Sequence, residues 1–386
     1  MIETGFSYLA LLIFLAALIV YSEKRYQLKL FTYLPAIVML YFVVMLLSTM
    51  GVWHKTAEIT ATYKSVKSNL LPMMIFLMLL QADLRKIVKL GKKMLLTFFL
   101  SALSIGLGFI GMFALFHTFF ETDAWKAFAA LSGSWMGGTA NMVAIQGALN
   151  VPDAKMGYAL LIDSVDYAIW VMILLALVPL AGKFNLWSGA DTSVIDEVGE
   201  KLGAAQSKEP ITFHSLLLLL GIGVAVSALS QSIAALLPVS DFVTTGTWVV
   251  ILATIAGTLF AMTPLSRVAG SGVLGNIFLY IIVALIASRA NFAELTQAPL
   301  YIVAGFVIIA IHVILMVIFA KLFKLDLFSL GVASLANIGG VASAPILAGA
   351  YSQALIPIGV LMAMMGYILG TFGGLAVGKV LAMIGG

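Results

Sequence analysis

LSGSWMGGTANM at residues 131–142 and ASLANIGGVASAP at residues 333–345 decide how the whole sequence is read. Each lies inside a long apolar run, yet each is the part of that run least suited to a continuous helix. Two adjacent glycines lower helix propensity by about 1 kcal/mol each relative to alanine. Ser, Thr and Asn flank both pairs. Within a membrane segment this pattern indicates a broken helix whose freed backbone groups line a buried polar cavity. Exposed half-helix amino ends carry partial positive charge and carbonyl ends partial negative charge, so such a place can hold an anion and a cation together. The competing reading is that the glycines permit close helix packing while the polar side chains bridge neighbouring helices. Recurrence at matching positions favours a site. Gly137, Gly138, Gly339 and Gly340 then mark the breaks, and Thr139, Asn141, Ser334, Asn337 and Ser343 form the expected substrate or ion lining.

The two stretches belong to an internal repeat. At an offset of 202 the glycine pairs superpose, and so do Ser132 with Ser334, Ala140 with Ala342, Gly147 with Gly349, Ala148 with Ala350 and Gly157 with Gly359. Weak internal symmetry of this kind is the mark of transporters built from duplicated halves. A long polar stretch separates the halves, giving residues 1–182 as a first membrane repeat, 183–211 as a linker and 212–386 as a second repeat.

Composition sets the environment. With 62% hydrophobic and 10% charged residues and a mean hydropathy of +1.11, the chain is too apolar for a soluble domain. Runs of about 20 apolar residues recur, each long enough to cross a hydrocarbon core of about 30 Å as a helix. The expected fold class is therefore an all-α integral membrane protein. The short alternating segments of a barrel are absent. Candidate segments are 6–22, 32–50, 70–82 (or to 90), 93–116, 126–148, 156–181, 213–237, 242–262, 271–289, 298–322, 328–350 and 354–382. The amino terminus lacks the basic region and cleavage site of a secretory signal, so the first run is read as a retained span with its amino end outside.

The net charge of +4 is confined to connecting loops, which speaks for membrane topology and against nucleic acid. The loop with Arg85, Lys86, Lys89, Lys92 and Lys93 is the most basic and is expected to be cytoplasmic, while its counterpart around Arg289 is neutral. The acidic loop of Glu121 and Asp123 corresponds to the basic one of Lys321 and Lys324. This swap is what inverted repeats require. Twelve full crossings would instead place the halves parallel. Inversion returns if the two Gly-Gly segments are re-entrant hairpins, leaving ten crossings, or if one central segment fails to cross. Ten to twelve segments are expected.

Asp163 and Asp166 lie three apart on the helix after the first break, hence on one face. A carboxylate in hydrocarbon is costly and functional by default. The pair is the expected ion-coupling site, for Na⁺ or H⁺, unless one or both lie near an interface. Four scattered histidines, with His312 alone in an apolar run, offer no metal site beyond a Na⁺ at those carboxylates. The chain has no cysteine. Trp53, Trp125, Trp187 and Trp248 read as interfacial anchors.

GSWMGGTAN at 133–141 and SLANIGG at 334–340 resemble the YjcL-like bacterial membrane proteins, a domain-of-unknown-function family grouped with the cation:proton antiporter and anion transporter superfamily. The resemblance implies a scaffold or dimerisation domain, a homodimer, a bacterial inner membrane location, and a mobile core where two broken elements meet at mid-membrane. Asp163 and Asp166 resemble the carboxylates that sodium:proton antiporters carry after the first break. Residues 354–378 have no Lys or Arg, a departure from that pattern. The resulting expectation is a cofactor-free secondary transporter, not an enzyme, that couples H⁺ or Na⁺ to movement of a small solute, an organic anion by preference, through alternating access. A monovalent cation:proton antiporter is the alternative. An intramembrane enzyme acting on a lipid-linked substrate is the alternative of another class, although no nucleophile–base pair is visible.

Overall fold

The computed structural model describes residues 1–26, 35–192, 210–240, 242–292 and 295–385, and most of the expected linker, 193–209, lies outside them. The described secondary structure is helical apart from a lone pairing of Ile2 with Trp53. In the first half the helices are α1 (Gly5–Tyr26), α2 (Ala36–Thr49), α3 (Ala57–Leu79), α4 (Gly91–Phe116), α5 (Ala124–Gly137), α6 (Thr139–Ala148), α7 (Lys155–Leu177) and α8 (Ala181–Ser188). In the second half they are α9 (Phe213–Ala234), α10 (Thr245–Ala261), α11 (Ser271–Ala287), α12 (Ala298–Phe323), α13 (Leu327–Ile338), α14 (Ala344–Tyr351) and α15 (Ile356–Gly385).

By length and composition, six helical stretches among the described residues can cross a membrane, and shorter apolar helices lie between them. Large apolar side chains such as Phe14 on α1, Leu217 on α9 and Ile314 on α12 are exposed. Such faces suit acyl chains and would be costly in water. The protein is an integral membrane protein.

Local signals set the helix starts. Thr212 and Thr244 form capping boxes with Ser215 and Thr247, and Asp326 caps α13 by accepting from the Ser329 N–H at 2.7 Å. Each cap satisfies an amide that the helix cannot, worth about 1 kcal/mol. Thr56 caps α3 in the same way, so this helix begins well before the expected 70–82 segment. Its polar first half, with Lys64 and Lys67, hides it from a hydropathy reading.

The expected segments 126–148 and 328–350 are not single crossings. Each is a helical hairpin. A Cβ added to Gly133 of α5 would lie 2.8 Å from Ile145 on α6, which requires α6 to run back along α5. A Cβ on Gly331 of α13 would likewise lie 3.1 Å from Leu347 on α14, and Phe328 meets Tyr351 with ring centroids 5.2 Å apart. Gly138 makes the first reversal at φ 88° and Gly340 contributes to the second at φ 60°, backbone conformations that favour glycine.

The hairpins enter from opposite ends of the bundle. At one end, Glu121 before α5 pairs with Lys155 after α6, and the Ala148 carbonyl accepts from Thr247 at 2.8 Å. That end also holds Trp53, which is buried and donates to the Ser288 carbonyl at 3.1 Å. Trp53 is thus an internal brace and not the interfacial anchor expected of it. At the other end, Lys93 pairs with Asp326 at 3.3 Å, and the Leu327 N–H donates to Asn185 at 2.9 Å. The cluster Arg85, Lys86, Lys89, Lys92 and Lys93 marks this as the basic end.

Two groups of helices result. In one, α3 packs against α9, α10 and α11, while α11 packs against α1, α2 and α3. In the other, α4 packs on α12, and both hairpins pack on α15. The tightest seam joins α15 to the first hairpin. Cβ atoms added to Gly366 and Gly370 would lie 3.1 and 2.8 Å from the Gly137 Cα, and one on Gly374 would lie 2.9 Å from the Gly133 Cα. Glycines four apart make a flat ridge, and backbones in contact gain van der Waals energy without fixing side chains.

Candidate functional site

The hairpin tips meet. A Cβ on Gly340 would stand 4.0 Å from the Gly138 Cα. Beside this contact is a cavity of about 260 Å³, lined by Gly138 and Thr139 from the first tip, Gly339, Gly340 and Ala342 from the second, and Asp163 and Tyr167 from α7. Tyr367 of α15 and Asn276 and Tyr280 of α11 complete its polar side. Pro35, at the start of α2, and Met78, at the end of α3, also line it, so the cavity leans towards the basic end.

Asp163 and Asp166 occupy different surroundings. Oδ1 of Asp163 accepts from Ser134 Oγ at 3.0 Å and from Trp135 Nε1 at 3.1 Å, both on α5. The side chain is half-buried and borders the cavity. Asp166 is fully buried against Gly305 of α12, and neither of its oxygens has a hydrogen-bond partner. An ionised carboxylate so placed costs several kcal/mol unless a proton or a cation accompanies it.

Of the five polar residues expected to line the site, Thr139 does so. Asn141 is instead a brace. Its Nδ2 donates to the Gly137 carbonyl at 2.7 Å, at the broken end of α5, and its Oδ1 accepts from Thr371 of α15 at 2.7 Å. Ser343 has the matching place in the second hairpin, donating to the Leu335 carbonyl at 3.4 Å. Nδ2 of Asn337 donates to the Ala333 carbonyl at 2.9 Å, leaving its Oδ1 buried without a partner. Ser334 lies away from the cavity, where its hydroxyl meets Trp170 Nε1 and His312 Nε2, each at 2.9 Å.

His312 is therefore far from alone. Its Nδ1 meets Ser104 of α4 at 2.7 Å, so the imidazole ties α4, α12 and α13 together. Sequence reading missed this network because its members sit on four different helices, Ser104 on α4, Trp170 on α7, His312 on α12 and Ser334 on α13, and only packing brings them together. It also passed over Tyr167, which follows Asp163 by one helical turn, a spacing that places both on one face.

At the end opposite the basic cluster, the two helix groups touch through polar contacts. Tyr63 of α3 donates to Asp153 Oδ2 at 2.7 Å, Lys67 pairs with Asp153 at 3.4 Å, and Gln146 of α6 donates to Asp153 at 2.9 Å.

Residues 10–384 match the family model described as a protein of unknown function (DUF819). The chain belongs to the DUF819 family. It is 24% identical over 330 residues to the uncharacterized membrane protein YjcL of Bacillus subtilis (strain 168), covering 82% of this chain and 83% of that protein. DUF819 membership thus extends over both hairpins and the whole cavity.

Proposed function

We propose that the protein is an ion-coupled secondary transporter that moves a small organic anion by alternating access. The observation carrying this reading is the meeting of two hairpin tips, entering from opposite ends, beside a cavity bordered by Asp163, Thr139 and Asn276. Access from either end then requires movement of one hairpin against the α3–α11 group, and the solute site need not move far. Half-helix amino ends at Thr139 and Ala344 favour an anion.

If the hairpins are re-entrant, the proposal has ten crossings, five in each half, the arrangement that inverted repeats require and that is expected of the cation:proton antiporter and anion transporter superfamily. The reciprocal packing of α3 and α11 supports the same symmetry. The basic end is cytoplasmic by its lysines and arginines, as in a bacterial inner membrane. The cavity is then closer to the cytoplasm, and the Tyr63–Lys67–Asp153–Gln146 cluster closes the outside.

Purified protein in proteoliposomes, tested with labelled mono-, di- and tricarboxylates under an imposed Na⁺ or H⁺ gradient, should accumulate at least one of them. Asp163→Asn should abolish that accumulation. Uptake by the Asn variant at the native rate would sink the assignment. The partnerless Asp166 also favours a second reading, cation:proton exchange without an organic solute. It predicts that added Na⁺ or K⁺ alone collapses a preformed pH gradient, and that Asp166→Asn prevents this.

A further inference from the structure

A second cavity, of about 480 Å³, lies between α7 and α8 on one side and α12 and α13 on the other. It shares no residue with the solute cavity. Trp170, His312 and Ser334 form its floor, and their polar atoms are engaged with one another or with Ser104. Little is left there to hydrogen-bond a solute or water. The walls, with Leu174, Val313 and Leu330, are hydrocarbon. A slot of this chemistry is filled favourably by an apolar chain.

Its depth and mouth specify which chain. From Trp170 to Leu180, both lining residues, the helical rise is about 15 Å at 1.5 Å per residue, close to one leaflet of a core of about 30 Å. The mouth is at the basic end, on α8, the short helix that follows a turn at Val178–Leu180. Lys183 on α8 is exposed, lines the slot and has no ion-pair partner among the described residues. Lys321 Nζ lies 2.5 Å from the Trp187 carbonyl and 5.2 Å above the Trp187 ring. No carboxylate lines the slot.

We infer that this slot binds an anionic phospholipid from the leaflet at the basic end, one acyl chain reaching Trp170 and the phosphate resting between Lys183 and Lys321. The lipid has a structural consequence. One wall of the slot is α13, the first arm of the second hairpin, so the acyl chain bears on the element proposed to move.

The test uses phosphatidylglycerol and phosphatidylcholine with identical dioleoyl chains, added at equal concentration to delipidated protein and read by native mass spectrometry and thermal unfolding. Phosphatidylglycerol should be retained preferentially and should raise the melting midpoint. The double variant Lys183→Gln/Lys321→Gln should retain about thirtyfold less of it, each lysine at a membrane surface contributing about 1 kcal/mol. Val317→Trp, at the partly exposed mouth, should expel the lipid without altering charge. Equal retention of the two lipids by the native chain, or undiminished phosphatidylglycerol on Val317→Trp, overturns the inference.

Discussion

Asp163 and Asp166 are one turn apart on α7, and different elements hold them. Asp163 keeps two hydrogen bonds from α5 while facing the cavity, so replacing it with Asn retains much of its packing and removes its charge. The expected result is loss of ion-driven uptake with a nearly unchanged melting midpoint, which separates a functional defect from unfolding. Ser334 should behave in the opposite way. Ser334→Ala leaves both Trp170 Nε1 and His312 Nε2 buried without that partner, at a cost of about 1–3 kcal/mol. A clearly lowered midpoint in detergent is expected, and an unchanged one would show that the network contributes nothing to stability. Sequence alone put both serine and aspartates inside the membrane. It had no means of telling a cavity wall from a buried brace, because that depends on which helix lies opposite.

At the scale of elements, the Gly-Gly pairs revealed the two breaks but not the direction in which the chain resumes. Glycine stops a helix equally well before a reversal and before a kink. The reversal follows from tertiary contacts, Gly133 on Ile145 and Gly331 on Leu347, and from side chains that span the tip. Asn141→Ala removes the donor to the Gly137 carbonyl and the acceptor for Thr371, so the first tip should loosen. Faster amide exchange over 137–142 than over α7 would register this. The glycine seam allows a paired test. Gly374→Ala places a methyl group 2.9 Å from the Gly133 Cα and should cost about 1–3 kcal/mol, the range for overpacking. Gly221→Ala, in α9, meets nothing within 4 Å and should be neutral or stabilising by up to about 1 kcal/mol. Thermal unfolding of the two variants side by side distinguishes crowding from propensity.

For the molecule as a whole, membrane residence was legible in composition alone, while the swap of loop charge supplied the expectation of two inverted halves on which the proposed transport rests. The expected range of ten to twelve segments reflects that two short apolar arms of a hairpin have the same hydropathy as one long crossing. The proposed alternation makes its own prediction. Because the chain lacks cysteine, Thr139→Cys introduces a single thiol at the cavity. In oriented vesicles it should react with a charged maleimide from the basic side. Asp153→Asn weakens the cluster joining α3 to α6, and labelling from the opposite side should then rise. Indifference of labelling to Asp153 would mean that this cluster is not the outer closure.

The seam between α15 and the first hairpin limits how this sequence can change. In an ordinary core, an enlarged residue can be offset by shrinking its neighbour. Here Gly366, Gly370 and Gly374 face Gly133 and Gly137, and neither side has anything left to remove. No second substitution within the seam can rescue the first, so any tolerated variation must separate the two helices as a unit. The breaks at Gly138 and Gly340 fix the backbone locally, whereas this seam makes some 25 residues of hairpin and the last helix a single piece, inherited or lost together.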